Sequence, residues 1–241
     1  DVLITNDPYK TAGQLLDVTV LVPVWREPAA GGNPEPIAFF GSTIHHTDVG
    51  GYGIGAGGRD CFEEGLWIPI CKLMRRGERN EDVWRFILSN VRQPDHMAGD
   101  LHAQMASGEI GAQRLALLCD KHQLDDIEAL SDEIIDRSEV ATRASIRELP
   151  SGSYPAAAVL DLADGSRIDI VCSIEVDSDA GEINVDYSGT SEASTWGINV
   201  VRNYTHAYTT FTVRSCLNPE IPNNYGSLSP IKMVAPEGSI V

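Results

Sequence analysis

Residues 44–51 read Ile44-His45-His46-Thr47-Asp48-Val49-Gly50-Gly51: two adjacent histidines and an aspartate at the end of an apolar run, then glycine. Neutral imidazole nitrogen and carboxylate oxygen are the usual ligands of a catalytic divalent cation, and an open coordination position makes such a site reactive. Neighbouring residues on a strand point to opposite faces. His45 and His46 therefore cannot both reach one ion unless the strand has ended between them. Asp48 shares a face with His46 if the extended conformation continues. The pattern reads as one ligand histidine, with the other making a supporting or substrate contact. A surface turn with incidental histidines is the plain alternative.

The elements that would position these groups lie on either side. A short strand at 2–4 ends at Asn6-Asp7-Pro8, where Asp and Asn bond nearby backbone and Pro8 disfavours the helical region for Asp7. A long apolar strand is expected at 18–25, headed by Asp17, a carboxylate with no basic neighbour in sequence. The Pro-, Gly- and Asn-rich run from Pro28 to Pro36 reads as a hairpin connection, and 37–44 as the returning strand. If the two strands pair antiparallel, the start of one lies beside the end of the other. Asp17 and the histidine pair then meet at one end of the sheet. Residues 50–58 hold six glycines, with neither a dinucleotide fingerprint nor a G-K-[ST], and read as a loop or lid close to a ligand. The adjacent Glu63 and Glu64 offer a general base or a merely solvated pair.

Farther on, Asn80 opens a helix with Glu81 and Asp82 in its first turn. A second helix is expected over 100–122, with Leu101, Met105, Gly108, Ala112, Leu115 and Cys119 recurring at helical spacing, and a third, highly charged one over 126–148. Pro150-Ser151-Gly152 is the expected subdomain boundary. Beyond it the period changes to two: strands at 156–162, 167–176 and 182–187, joined by turns that include Asp164-Gly165, form a meander. A helix over 197–217, a turn at 223–226 and a last strand at 231–234 complete the chain. The expected fold is α+β, with regions 1–149 and 150–241: mixed sheets, an N-terminal site-bearing strand pair, a central helical segment, and a C-terminal antiparallel meander plus helix.

The 241 residues carry a formal net charge of −17, which repels phosphate backbones and anionic lipid and argues against nucleic-acid and membrane-surface roles. Five dispersed cysteines without a C-x-x-C pair suit a reducing cytoplasm. The start at Asp1 and the stop at Val241 within an apolar segment read as an excerpt of a longer protein.

Taken in order, Asn6-Asp7-Pro8-Tyr9, Asp17-Val18-Thr19, His45 to Gly51, Glu64-Gly65-Leu66-Trp67-Ile68-Pro69, Asn90-Val91-Arg92-x-Pro94 and Gly99-Asp100-Leu101-His102-Ala103-Gln104 resemble the hydantoinase B family. Ile198-Asn199, Ile221-Pro222-x-Asn224-x-Gly226 and Ala235-Pro236-Glu237-Gly238 continue the resemblance across nearly the whole chain. The family includes the B components of N-methylhydantoinases, the matching half of 5-oxoprolinases, related lactamases, and large subunits of acetone and acetophenone carboxylases.

The resemblance implies a hetero-oligomeric, two-component machine acting on a small-molecule substrate. An A-type ATPase subunit uses ATP to phosphorylate the substrate's carbonyl or enol oxygen. The B-type component then cleaves a cyclic amide C–N bond, or in the ketone enzymes carboxylates the substrate. A non-catalytic scaffolding paralogue is the remaining alternative. Asp7, Asp48 and Glu64 are the candidate catalytic carboxylates; Gln14, Gly50 and Gly51 are candidate substrate contacts. Family members with a metal, zinc or manganese, resemble this chain at Asp17 and at His45 or His46, the candidate ligands here. Their Gly-Thr-His-Leu-Pro-Asp motif reads Gly13-Gln14-Leu15-Leu16-Asp17, so Gln14 stands where the family histidine would be. An amide is a poor ligand beside imidazole, and that substitution weakens the case for metal.

Overall fold

A computed structural model describes residues 1–27, 33–53, 55 and 57–241. The centre of the expected hairpin connection and two positions of the glycine loop, residues 28–32, 54 and 56, lie outside the described residues. The fold is α+β, in two compact units, Asp1–Ala129 and Leu130–Val241.

The first unit is built on an antiparallel sheet in the order β3-β2-β1-β4-β5. β2 (Asp17–Arg26) turns Val18, Val20, Val22 and Val24 inward, the period-two pattern of a half-buried strand. It pairs with β3 (Glu35–His45) on one side and with β1 (Val2–Thr5) on the other. β4 (Cys71–Arg75) and β5 (Glu78–Arg79) extend the sheet beyond β1, two strands that the residue pattern did not announce. Their turn is Arg76-Gly77, both at positive φ (51° and 83°), the backbone that a two-residue hairpin requires.

α1 is a single turn at Cys61–Glu64, capped by Asp60, and α2 (Glu81–Leu88) buries Trp84 and Ile87. α3 (Pro94–His122) starts six residues before the expected position, because Pro94 occupies a first-turn place where its missing N–H is no loss. Its buried residues are Met97, Leu101, Gln104, Met105, Gly108 and Cys119. Gly111 lets α3 approach the sheet closely: a Cβ there would come within 2.8 Å of the Phe40 ring. One polar residue, Gln104, therefore sits in an otherwise apolar stripe.

In the second unit β6 (Gly152–Asp161), β7 (Arg167–Asp177) and β8 (Glu182–Asp186) form the expected meander, and β9 (Ile231–Val234) joins β8 in parallel. The parallel return is possible because a long crossover carrying a helix separates the two strands. α4 (Glu128–Arg147) contributes Ile146 to the core with Ile183 and Val185, so Pro150 lies inside this unit. α5 (Arg202–Leu217) is helical despite its Thr-Thr-Phe-Thr-Val run, and begins five residues after the expected start. Thr209, Thr210 and Thr212 each donate their hydroxyl to the carbonyl four residues back, which satisfies them within the helix. The expected turn at 223–226 leads into a further single turn, α6 (Tyr225–Leu228), with Asn224 and Ser227 in a reciprocal capping box.

Candidate active site

The register of β2 on β3 pairs Asp17 directly with His45. Both side chains lie on the same face, as cross-strand partners must, at the sheet end where both strands stop. His45 Nδ1 stands 3.0 Å from Asp17 Oδ1, and Gln14 Nε2 donates to Asp17 Oδ2 at 2.9 Å. Gln14 Nε2 is also 3.1 Å from His45 Nδ1. An ionised carboxylate only accepts, so the proton of the Asp17–His45 contact belongs to Nδ1. Neutral His45 then carries its lone pair on Nε2. The His45 side chain is 45% exposed and Asp17 only 16%, so the histidine reaches solvent from a sheltered carboxylate.

His46 falls on the other face. It is 1% exposed, and its backbone N–H continues the strand pairing by donating to Leu16 O at 2.8 Å. Gln104 holds the ring. Its Nε2 donates to Val18 O (2.9 Å) and to Ser42 O (2.8 Å), which uses both amide protons. Only Oε1 is left for His46 Nε2, at 3.3 Å, so that ring nitrogen carries a hydrogen. His46 Nδ1 has no hydrogen-bond partner among the described residues and lies 3.7 Å from Asp100 Oδ2. Burial depresses the His46 pKa against the opposing pull of Gln104 and Asp100.

The other candidates fall into two further groups. Asp48 accepts from Gly50 N (2.9 Å), from Arg92 N and from Arg92 Nη1 (2.8 Å), while Arg92 Nη2 donates to Gly51 O. Burial alone would raise its pKa, but these N–H groups and the guanidinium hold it below the usual carboxylate value. Gly50 and Gly51 have φ of +85° and +59°, and the space beside each is filled by the backbones of Asn90 and of Glu63 and Glu64. Asp48, Gly50 and Gly51 thus hold the loop that follows the histidines. Asp7 caps its own turn by accepting from Tyr9 N at 3.0 Å. Asp7 and Glu64 both lie near Cys61, whose thiol is pushed up first by burial and then by Asp60, Glu64 and Asp7.

Asn6, Gln104 and Arg92 went unassigned in the reading of single residues. Asn6 is fully buried and joins three segments: Nδ2 donates to Leu15 O and Leu66 O, and Oδ1 accepts from Ile68 N. A signal for Gln104 existed, since it stands three residues after Leu101 on the apolar stripe.

The donor set does not fit a divalent metal. Asp17 and His45 supply two suitable atoms, and the third corner is an amide whose nitrogen, a donor, faces them both. His46 faces the opposite side. Among the described residues no three His, Cys, Asp or Glu side chains group as a ligand set. The Asp17–His45 pair has the geometry of a carboxylate-oriented base instead.

The family model for hydantoinase B/oxoprolinase matches residues 1–241. A protein of Methanocaldococcus jannaschii is 34% identical over 244 residues, all of this chain and 42% of its own length. The B component of a putative D-/L-hydantoinase from a Pseudomonas strain is 33% identical over 255 residues, again with 42% of its length covered. The crystal structure of an ATP-dependent caprolactamase from Pseudomonas jessenii superposes with a TM-score of 0.86 at 27% identity, covering 100% of this chain and 41% of that one. The chain therefore spans about two fifths of the length of these relatives. With its whole length matched and the collinear motifs now placed on one fold, the chain belongs to the hydantoinase B/oxoprolinase family.

Proposed function

We propose that this chain carries base chemistry for the B-type component of an ATP-dependent, hydantoinase- or 5-oxoprolinase-like amidohydrolase. An A-type partner would phosphorylate the carbonyl oxygen of a cyclic amide, turning an inert amide into an imidate-like carbon open to water. The observation that carries this reading is the Gln14–Asp17–His45 cluster at the exposed end of β2 and β3.

In this reading His45 Nε2 accepts a proton from water as the water oxygen bonds to the activated carbon. Asp17 keeps the ring oriented through Nδ1–H and stabilises the imidazolium that forms, the role of a buried carboxylate behind a catalytic histidine. Gln14 fixes the second oxygen of Asp17, so the carboxylate cannot rotate away. The imidazolium gives the proton to the departing substrate nitrogen as the C–N bond breaks. The acyl phosphate left behind yields carboxylate and phosphate with a second water. A base of this kind contributes roughly 10²–10⁴-fold.

The test is turnover of a cyclic amide by the full-length protein mixed with an A-type ATPase and ATP, with His45→Gln and Asp17→Asn variants alongside. Ring opening is expected to fall by at least about 100-fold in His45→Gln while the partner still consumes ATP. Ring opening within about threefold of the parent would overturn the assignment of His45. A mixture no more active than the partner alone would favour the scaffolding role.

A further inference from the structure

The second unit contains a cavity of about 450 Å³ between one face of α5 and the segment that follows it, at the lower end of the usual range for small-molecule sites. His206, Thr210 and Arg214 recur every fourth residue along one wall, and Ala207, Phe211 and Leu228 supply apolar surface. We propose that this cavity binds a small organic carboxylate with an apolar body, its carboxylate held by Arg214 and its body against Phe211.

Arg214 carries the argument. Its guanidinium is fixed by two neutral acceptors: Nη1 donates to Asn223 Oδ1 at 3.1 Å and Nη2 to Ile221 O. It belongs to none of the ion pairs among the described residues. A guanidinium has five N–H groups, so donors remain in a fork already oriented by its neighbours, the geometry that matches a planar carboxylate. Competing donors on the wall are few. Thr210 gives its hydroxyl hydrogen to the α5 backbone at His206 O or Ala207 O, and Ser215 gives its own to Phe211 O. Anion recognition thus falls on Arg214, with His206 as the other nitrogen donor on the wall. Phe211 is 68% exposed beside this cation, which explains an otherwise unpartnered aromatic ring at the mouth.

Benzoate is the probe, with benzyl alcohol as its uncharged analogue and inorganic phosphate as the competing anion, measured by calorimetry on the full-length protein. Benzoate is expected to bind at least about tenfold more tightly than either. Arg214→Gln should weaken benzoate by about tenfold or more, and Arg214→Lys by less, since it keeps charge but loses the fork. Arg214 also ties down Ile221 and Asn223, so a second variant leaves those bonds alone: Phe211→Glu places a carboxylate at the exposed mouth. It should abolish benzoate binding with an unchanged circular dichroism spectrum. Equal affinity for benzoate and benzyl alcohol, or benzoate binding unaffected in Phe211→Glu, overturns the proposal. Phosphate binding more tightly than benzoate overturns the carboxylate assignment. None of these readouts involves turnover, so their failure leaves the reading of His45 untouched.

Discussion

Gln104 is a small part of α3 with a large stake in the site. Replacing it with leucine keeps the size and removes three polar contacts at once: the two bonds from Nε2 to Val18 O and Ser42 O, and the contact of Oε1 with His46 Nε2. Gln104 is 1% exposed, so water cannot readily take over. Each buried group left without a partner costs about 1–3 kcal/mol. Val18 O and the His46 N–H bear that cost fully and Ser42 O, which is half-buried, in part, for a total of about 3–5 kcal/mol. With a urea slope of about 2–3 kcal/mol/M, the unfolding midpoint should fall by roughly 1–2 M. Gln104→Glu sharpens the test. It is isosteric and keeps an acceptor for His46, but it sets carboxylate oxygens against the two strand carbonyls. At neutral pH it should be at least as damaging as leucine. Urea unfolding of the three proteins decides the matter. A midpoint within about 0.3 M of the parent for either variant would refute the claim that the two amide protons hold the strand ends.

Two further predictions concern the loop and the metal. Gln14→His should raise bound zinc or manganese after dialysis against the metal, because imidazole replaces an amide beside Asp17 and His45; equal metal by elemental analysis in both proteins would remove that explanation. Asp48 has a pKa held below 3.8 in the folded state, so its stabilising contribution is complete above that value and is lost as pH falls through the folded pKa. Asp48→Asn should therefore lower the urea midpoint by a constant amount from about pH 5 to 8, with the gap to the parent closing in acid; a gap that persists below pH 3 would contradict this.

Short-range chemistry made much of this fold readable. Alternation marked β2, β3, β7 and β8, Asp164-Gly165 marked the hairpin between β6 and β7, and spacing marked α3. The meeting of Asp17 with His45 followed from strand order alone, since an antiparallel pair brings the start of one strand to the end of the other. The opposite placements of His45 and His46 followed from the pleat. Less local features left little trace. The β4–β5 hairpin is written in Cys-Lys-Leu-Met-Arg with no β-branched residue, and its turn depends on positive φ at Arg76, which the residue type does not announce. β9 lies parallel to β8 because the α5 crossover returns it there. Asp48 binds a guanidinium 44 positions away, and Gln104 a carbonyl 86 positions away, so their tasks were decided only when the chain closed. Periodicity reports which face a residue occupies. Which donor meets which acceptor across that face depends on distances that exist only in the packed molecule.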